Sequence, residues 1–161
     1  MTVSASRTST DINDPELQAF SDVVRMVLRD RSYNNILLDD VQFTDDDLRN
    51  AIRLATGSYN VMSPVTEIAW DAIPEPILLL WTCYWLMLSE SFLQVRNQVS
   101  VPSDGLGVIG IDDKAPAYMS IANGLKAEAK QAAKDYKHSR NLEACYGSLP
   151  SGYSNVSRYN Q

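Results

Sequence analysis

The chain is 161 residues long, 45% hydrophobic, and carries a net charge of −6 with a pI of about 4.7. That length and apolar content suit one domain with a modest core. The acidic balance argues against ordinary tight binding of DNA or RNA, because phosphates repel such a surface, though not against a wall past which DNA slides.

Two cysteines, Cys83 and Cys145, make no disulfide framework, and one histidine without a paired-cysteine motif speaks against zinc. Residues 1–12 are polar and rich in Ser and Thr, and read as a flexible arm rather than a secretory signal. The longest apolar run, Ile77 to Leu88, is broken only by Thr82. It falls short of the roughly 20 residues a membrane span needs, so a buried helix is expected and no membrane partner.

The first helix is signalled by Asn13 or Asp14 as cap, Pro15 at the first position and Glu16 in the first turn. Leu17, Phe20, Val23, Val24, Val27 and Leu28 recur on one face, and the helix is expected to end between Asp30 and Ser32. A connector follows, and Thr44 caps a second helix whose first turn is Asp45-Asp46-Asp47. Three adjacent carboxylates in a helical turn point in different directions, which favours capping over metal binding. Leu48, Ile52, Leu54 and Ala55 form its apolar face, and Gly57 is its expected stop.

Residues 58–74, with Pro64 and Pro74, read as irregular, with Val65, Ile68 and Trp70 held against the core. Glu75 and Pro76 open the third helix, expected to reach about Gln98. Its apolar residues include Ile77, Leu80, Trp81, Tyr84, Trp85, Leu88, Phe92 and Val95, which occupy several faces. Such a helix needs cover on most sides, either from the centre of a small bundle or from a neighbouring subunit.

Between Val99 and Asp113, Asp104-Gly105 separates β-prone stretches containing Val101, Leu106, Val108, Ile109 and Ile111. This predicts a short hairpin, stabilised by neighbouring subunits, or a loop folded over its own core. A last helix is expected from Ala115 to about Glu143, with Pro116 in its first turn. Tyr118, Ile121, Leu125, Ala129, Ala132 and Tyr136 share one face of it. Lys126, Lys130, Lys134, Lys137 and Arg140 form a second stripe, read either as solvated or as facing an acidic partner or passing DNA. The tail, 145–161, holds Tyr146, Gly147, Tyr153, Arg158 and Tyr159, and reads as an extended segment that docks on a partner, or as a solvated end.

The expected architecture is therefore mainly α: a small helical bundle over 13–144, a short β-hairpin at 99–113, and an extended C-terminal tail. No nucleophile elbow, phosphate loop or zinc-protease motif occurs, so no catalytic residue, metal ligand or cofactor is assigned. His138 reads as a surface residue beside Lys137 and Arg140. Glu90 is the notable acid: it lies within the apolar helix and needs a partner, expected on another helix or subunit.

The order of these pieces is distinctive. The apolar helix ends Ser89-Glu90-Ser91-Phe92-Leu93-Gln94-Val95-Arg96-Asn97-Gln98, and Asp113-Lys114-Ala115-Pro116-Ala117-Tyr118 follows the Asp-Gly segment. After the Lys/Ala-rich helix come Tyr146-Gly147-Ser148 and Gly152-Tyr153-Ser154. Over roughly residues 14–155 the chain resembles the head–tail connector adaptors of tailed bacteriophages, also called head-completion or neck ring proteins.

The resemblance implies a structural protein and not an enzyme. It implies a homo-oligomeric ring of about twelve copies beneath the portal protein, with a downstream neck or tail protein on its other face. Double-stranded DNA would pass through the lumen without sequence-specific binding. It further implies that Tyr146 to Tyr159 dock in the portal, that Val99 to Ile111 contact neighbours or the next ring, and that the chain resides in the virion neck after assembly in the host cytoplasm. Other readings are a different minor virion protein, such as a tail terminator or capsid-associated chain, and a small helical regulatory binding protein.

Overall fold

Pro15, whose ring fixes the φ that a first helical residue needs, opens α1 (Pro15–Leu28) in the computed structural model, which describes residues 15–35, 40–97 and 114–146. The expected caps Asn13 and Asp14 lie outside the described residues. Leu17, Phe20 and Val24 are the buried face, one helical turn apart.

The helix stops at Leu28, before the expected Asp30, because Arg29 takes a left-handed conformation with φ 57°. The Asp30 N–H then donates to the Arg25 carbonyl at 2.9 Å and the Arg29 N–H to that of Met26 at 3.3 Å, which satisfies the last carbonyls. An arginine in that conformation costs about 1 kcal/mol. Asp30 offsets it. Its buried carboxylate accepts the Arg25 guanidinium at 3.0 Å, the Asn35 amide at 2.9 Å and the backbone N–H groups of Gln42 and Phe43. One side chain thereby ties the end of α1 to the entrance of α2.

Thr44 caps α2 (Asp45–Val61) as expected: its hydroxyl accepts the Asp47 N–H at 3.2 Å, and the Asp47 carboxylate accepts the Thr44 N–H at 3.0 Å. The three aspartates have separate uses, since Asp45 pairs with Arg25 at 2.8 Å and Asp46 with Arg49 at 3.0 Å. Leu48, Ala51, Ile52, Ala55 and Tyr59 form the buried face. Two expectations fail here. Gly57 does not end α2, which continues to Val61, and Leu54 lies half exposed beside the buried face, in a groove toward α3.

The segment after α2 is organised by Asn60. Its amide donates to the Ile68 carbonyl at 2.9 Å, and its side-chain oxygen accepts from the Thr66 hydroxyl at 3.0 Å and the Ile68 N–H at 3.3 Å. Ser63-Pro64 is cis, and a single 3-10 turn spans Trp70–Ala72. Ile68 and Trp70 pack on the core as expected, with Trp70 6.5 Å from the Phe20 ring, but Val65 is 74% exposed.

α3 (Glu75–Asn97) is the axis of the bundle and packs against α1, α2 and α4. Ile77, Leu78, Trp81, Thr82, Cys83, Tyr84, Leu86 and Met87 are buried and Leu79, Leu80 and Trp85 half-buried, so one chain covers the stretch from Ile77 to Met87. Burial pushes the Cys83 thiol up to about 12. Trp85 is part-buried and donates its indole N–H to Ser58 at 3.0 Å. Of the two covers expected, the centre of a small bundle is the one seen over most of the helix; at its end Phe92 and Val95 are 61% and 56% exposed. α3 is long and apolar enough to cross a membrane, yet its packing is that of a core helix.

α4 (Ala115–Tyr146) buries Lys137 and the alanines Ala115, Ala122, Ala129 and Ala133, a seam of small side chains that lets α4 pack against α3. Ile121 and Tyr136, expected on the buried face, lie at the surface. A face built of alanines is displaced when the large apolar residues alone are counted. No strand occurs among the described residues; the expected hairpin at 99–113 falls outside them. The fold is mainly α.

Gly57 and Gly124 sit within α2 and α4 with open space where a Cβ would stand. Replacing Gly57 by Ala is expected to stabilise the domain by about 0.5–1 kcal/mol through helix propensity alone. Urea unfolding measures this; a loss of stability would contradict the continuous α2.

Candidate interaction surfaces

The sequence-predicted stripe on α4 divides into parts. Lys137 does not face outward: it is 4% exposed, and its ammonium donates to the carbonyls of Tyr59 at 2.8 Å, Met62 at 2.8 Å and Pro64 at 2.9 Å. It also lies 4.4 Å from the centre of the Tyr59 ring. All three donors are used, at the carboxyl end of α2, where a cation is favoured. Lys137 is thus a clasp between α4 and the turn after α2. Desolvation lowers its pKa. The folded chain then holds this proton less tightly than the unfolded one, so the group favours folding more as pH rises from the lowered value toward the ordinary lysine range.

Lys126 rests 5.2 Å over the Tyr84 ring and is part-buried. Arg140 pairs with Glu143 at 3.3 Å, and His138 is exposed. Only Lys130 and Lys134 of the stripe remain exposed without a described ion pair, too little for a continuous basic face. Val101, Asp104, Gly105, Leu106, Val108, Ile109 and Ile111 lie outside the described residues. So do Gly147, Tyr153, Arg158 and Tyr159; Tyr146 closes α4.

Glu90 is buried as expected. Its described partner lies on its own helix: Gln94, one turn on, donates to it at 2.6 Å. The i,i+4 spacing was the signal for that pair. Glu90 lines a groove of about 440 Å³ between α2 and α3, together with Asp47, Leu54, Trp85, Phe92 and Leu93. α2 and α3 run antiparallel here, since Ser58 meets Trp85 while Asp47 and Arg96 share the groove's other end. The antiparallel crossing brings the start of α2 beside the exposed last turns of α3.

A second surface was not expected from sequence. The turn after α1 presents Met26, Val27 and Tyr33 beside Arg29 and Arg31. Arg25, next to them, is taken by Asp30 and Asp45. Among the described residues, no group of three His, Cys, Asp or Glu is placed to hold a metal.

The clasp makes a direct contrast within the stripe. Lys137→Met is expected to cost about 2 kcal/mol by removing the donors that hold three carbonyls at the end of α2, whereas Lys134→Met stays within about 0.5 kcal/mol. Equal effects in thermal unfolding would contradict the assignment. Comparisons of the chain with protein-family models, curated proteins and solved structures found no match.

Proposed function

We propose that the chain is a structural assembly protein of the head–tail connector type, a ring subunit that joins the portal of a tailed phage to the next neck or tail protein. The observation that carries this reading is the end of α3. A helix enclosed from Ile77 to Met87 leaves Phe92, Leu93 and Val95 on the surface, beside a groove. Exposed apolar clusters rimmed by polar residues mark sites of protein association. The order of elements and the short phrases around Glu90, Lys114 and Tyr146 supply the connector assignment.

In this reading the bundle is the ring wall, and the tyrosine-bearing tail beyond α4 is the portal-docking segment. The lumen face passes DNA without gripping it, in keeping with the net charge of −6. The chain works by binding, not by catalysis, and the ring sits in the virion neck.

Cutting the chain after Tyr146 tests the docking role. The truncated chain is expected to keep its helical circular dichroism and cooperative unfolding but to give few joined head–tail particles when it replaces the full chain. A normal yield of joined particles would contradict the proposal.

A further inference from the structure

Two surfaces of the described chain are apolar and carry charges of opposite balance. The groove between α2 and α3 has Leu54, Phe92 and Leu93 on its walls, with two carboxylates, Asp47 and Glu90, against one guanidinium, Arg96. Glu90 is 4% exposed, so its charge sits where a cationic partner is felt strongly. The turn after α1 presents Tyr33, 72% exposed, with half-exposed Met26 and Val27. It adds Arg29 and Arg31, and neither guanidinium has an ion pair among the described residues. Arg29 also holds a left-handed position that glycine would fill at lower cost, and its guanidinium makes no hydrogen bond among the described residues.

The two surfaces lie on different sides of α2. Asp45 and Arg49 line the cleft toward α1, whereas Asp47, Asn50 and Leu54 line the groove toward α3. A contact joining them between copies is therefore head-to-tail and repeats from copy to copy, closing into a ring where the rotation allows.

We infer that the turn after α1 of one copy seats in the α2–α3 groove of the next. Tyr33, Met26 and Val27 cover Leu54, Phe92 and Leu93, and Arg29 and Arg31 face Asp47 and Glu90. This inference rests on the reading of the chain as a self-assembling subunit and names the surfaces by which it assembles. Opposite charge fixes the register of the contact, and the aromatic and aliphatic side chains supply the buried area.

Sedimentation of the full chain and two variants tests it. Phe92→Asp spoils the groove, and Arg29→Glu with Arg31→Glu spoils the turn; Tyr33→Asp is a second turn variant should the arginine pair disturb folding. Each variant alone is expected to remain a folded monomer, with self-association weakened roughly tenfold or more. Mixed in equal amounts, the groove variant and a turn variant are expected to form a one-to-one heterodimer and stop there, because each retains one intact surface. Turn variants that assemble like the unaltered chain would overturn the inference and leave self-assembly standing. A mixture with no heterodimer would also overturn it, pointing to a like-with-like contact or another occupant of the groove. An unaltered chain that stays monomeric at every attainable concentration would overturn the self-assembly reading along with it.

Discussion

Burial of α3 is the constraint from which the remaining architecture follows. A 23-residue helix with aromatic and aliphatic residues on several faces is not stable in water unless other elements surround it. α1 and α2 cover one side and α4 covers another. The covering helices solve the problem differently. α2 uses Leu48, Ile52 and Tyr59, while α4 uses an alanine seam that lets its backbone approach the tryptophan and tyrosine side chains. Each fully buried large side chain contributes about 1.5–3 kcal/mol, so the enclosed stretch from Ile77 to Met87 supplies a large share of the stability.

Polar groups fix how the helices meet. The Asp30 carboxylate gathers an arginine, an amide and two backbone N–H groups, which sets the angle at which α1 hands over to α2. Lys137 does the complementary work at the other end of α2, closing the turn that Asn60 has already shaped. Buried charges are tolerated only when their hydrogen-bonding capacity is met, and both sites meet it in good part with backbone groups. The indole N–H of Trp81 and the Nε–H of Arg49 are buried with no acceptor among the described residues.

What could be read in the sequence was local. Pro15, the Thr44 capping box, Glu75-Pro76 and Ala115-Pro116 mark helix starts through contacts within a turn or two, and the helices begin there. What depended on distant contacts was not legible. Nothing near Lys137 in the chain announces three carbonyls at the end of α2 and in the turn beyond it, and its place in a run of lysines made it look solvated. Gly57 has no strain to relieve, so tertiary packing carries α2 past it. Arg29 ends α1 without the glycine that usually signals such a stop. The surfaces were legible in part: the excess of apolar residues on α3 pointed to a partner, and the exposed remainder is confined to its last turns. The turn after α1 went unseen, because its apolar and basic residues converge only once Arg29 reverses the chain.

In the proposed assembly α3 has a part that one chain encloses and a part that a neighbouring copy covers. Amide hydrogen exchange of the isolated full chain measures that division directly. Ile77 to Met87 should exchange only through global unfolding, and Phe92 to Asn97 should exchange far faster, slowing when copies assemble. Uniformly slow exchange to Asn97 in a chain shown to be monomeric would contradict it.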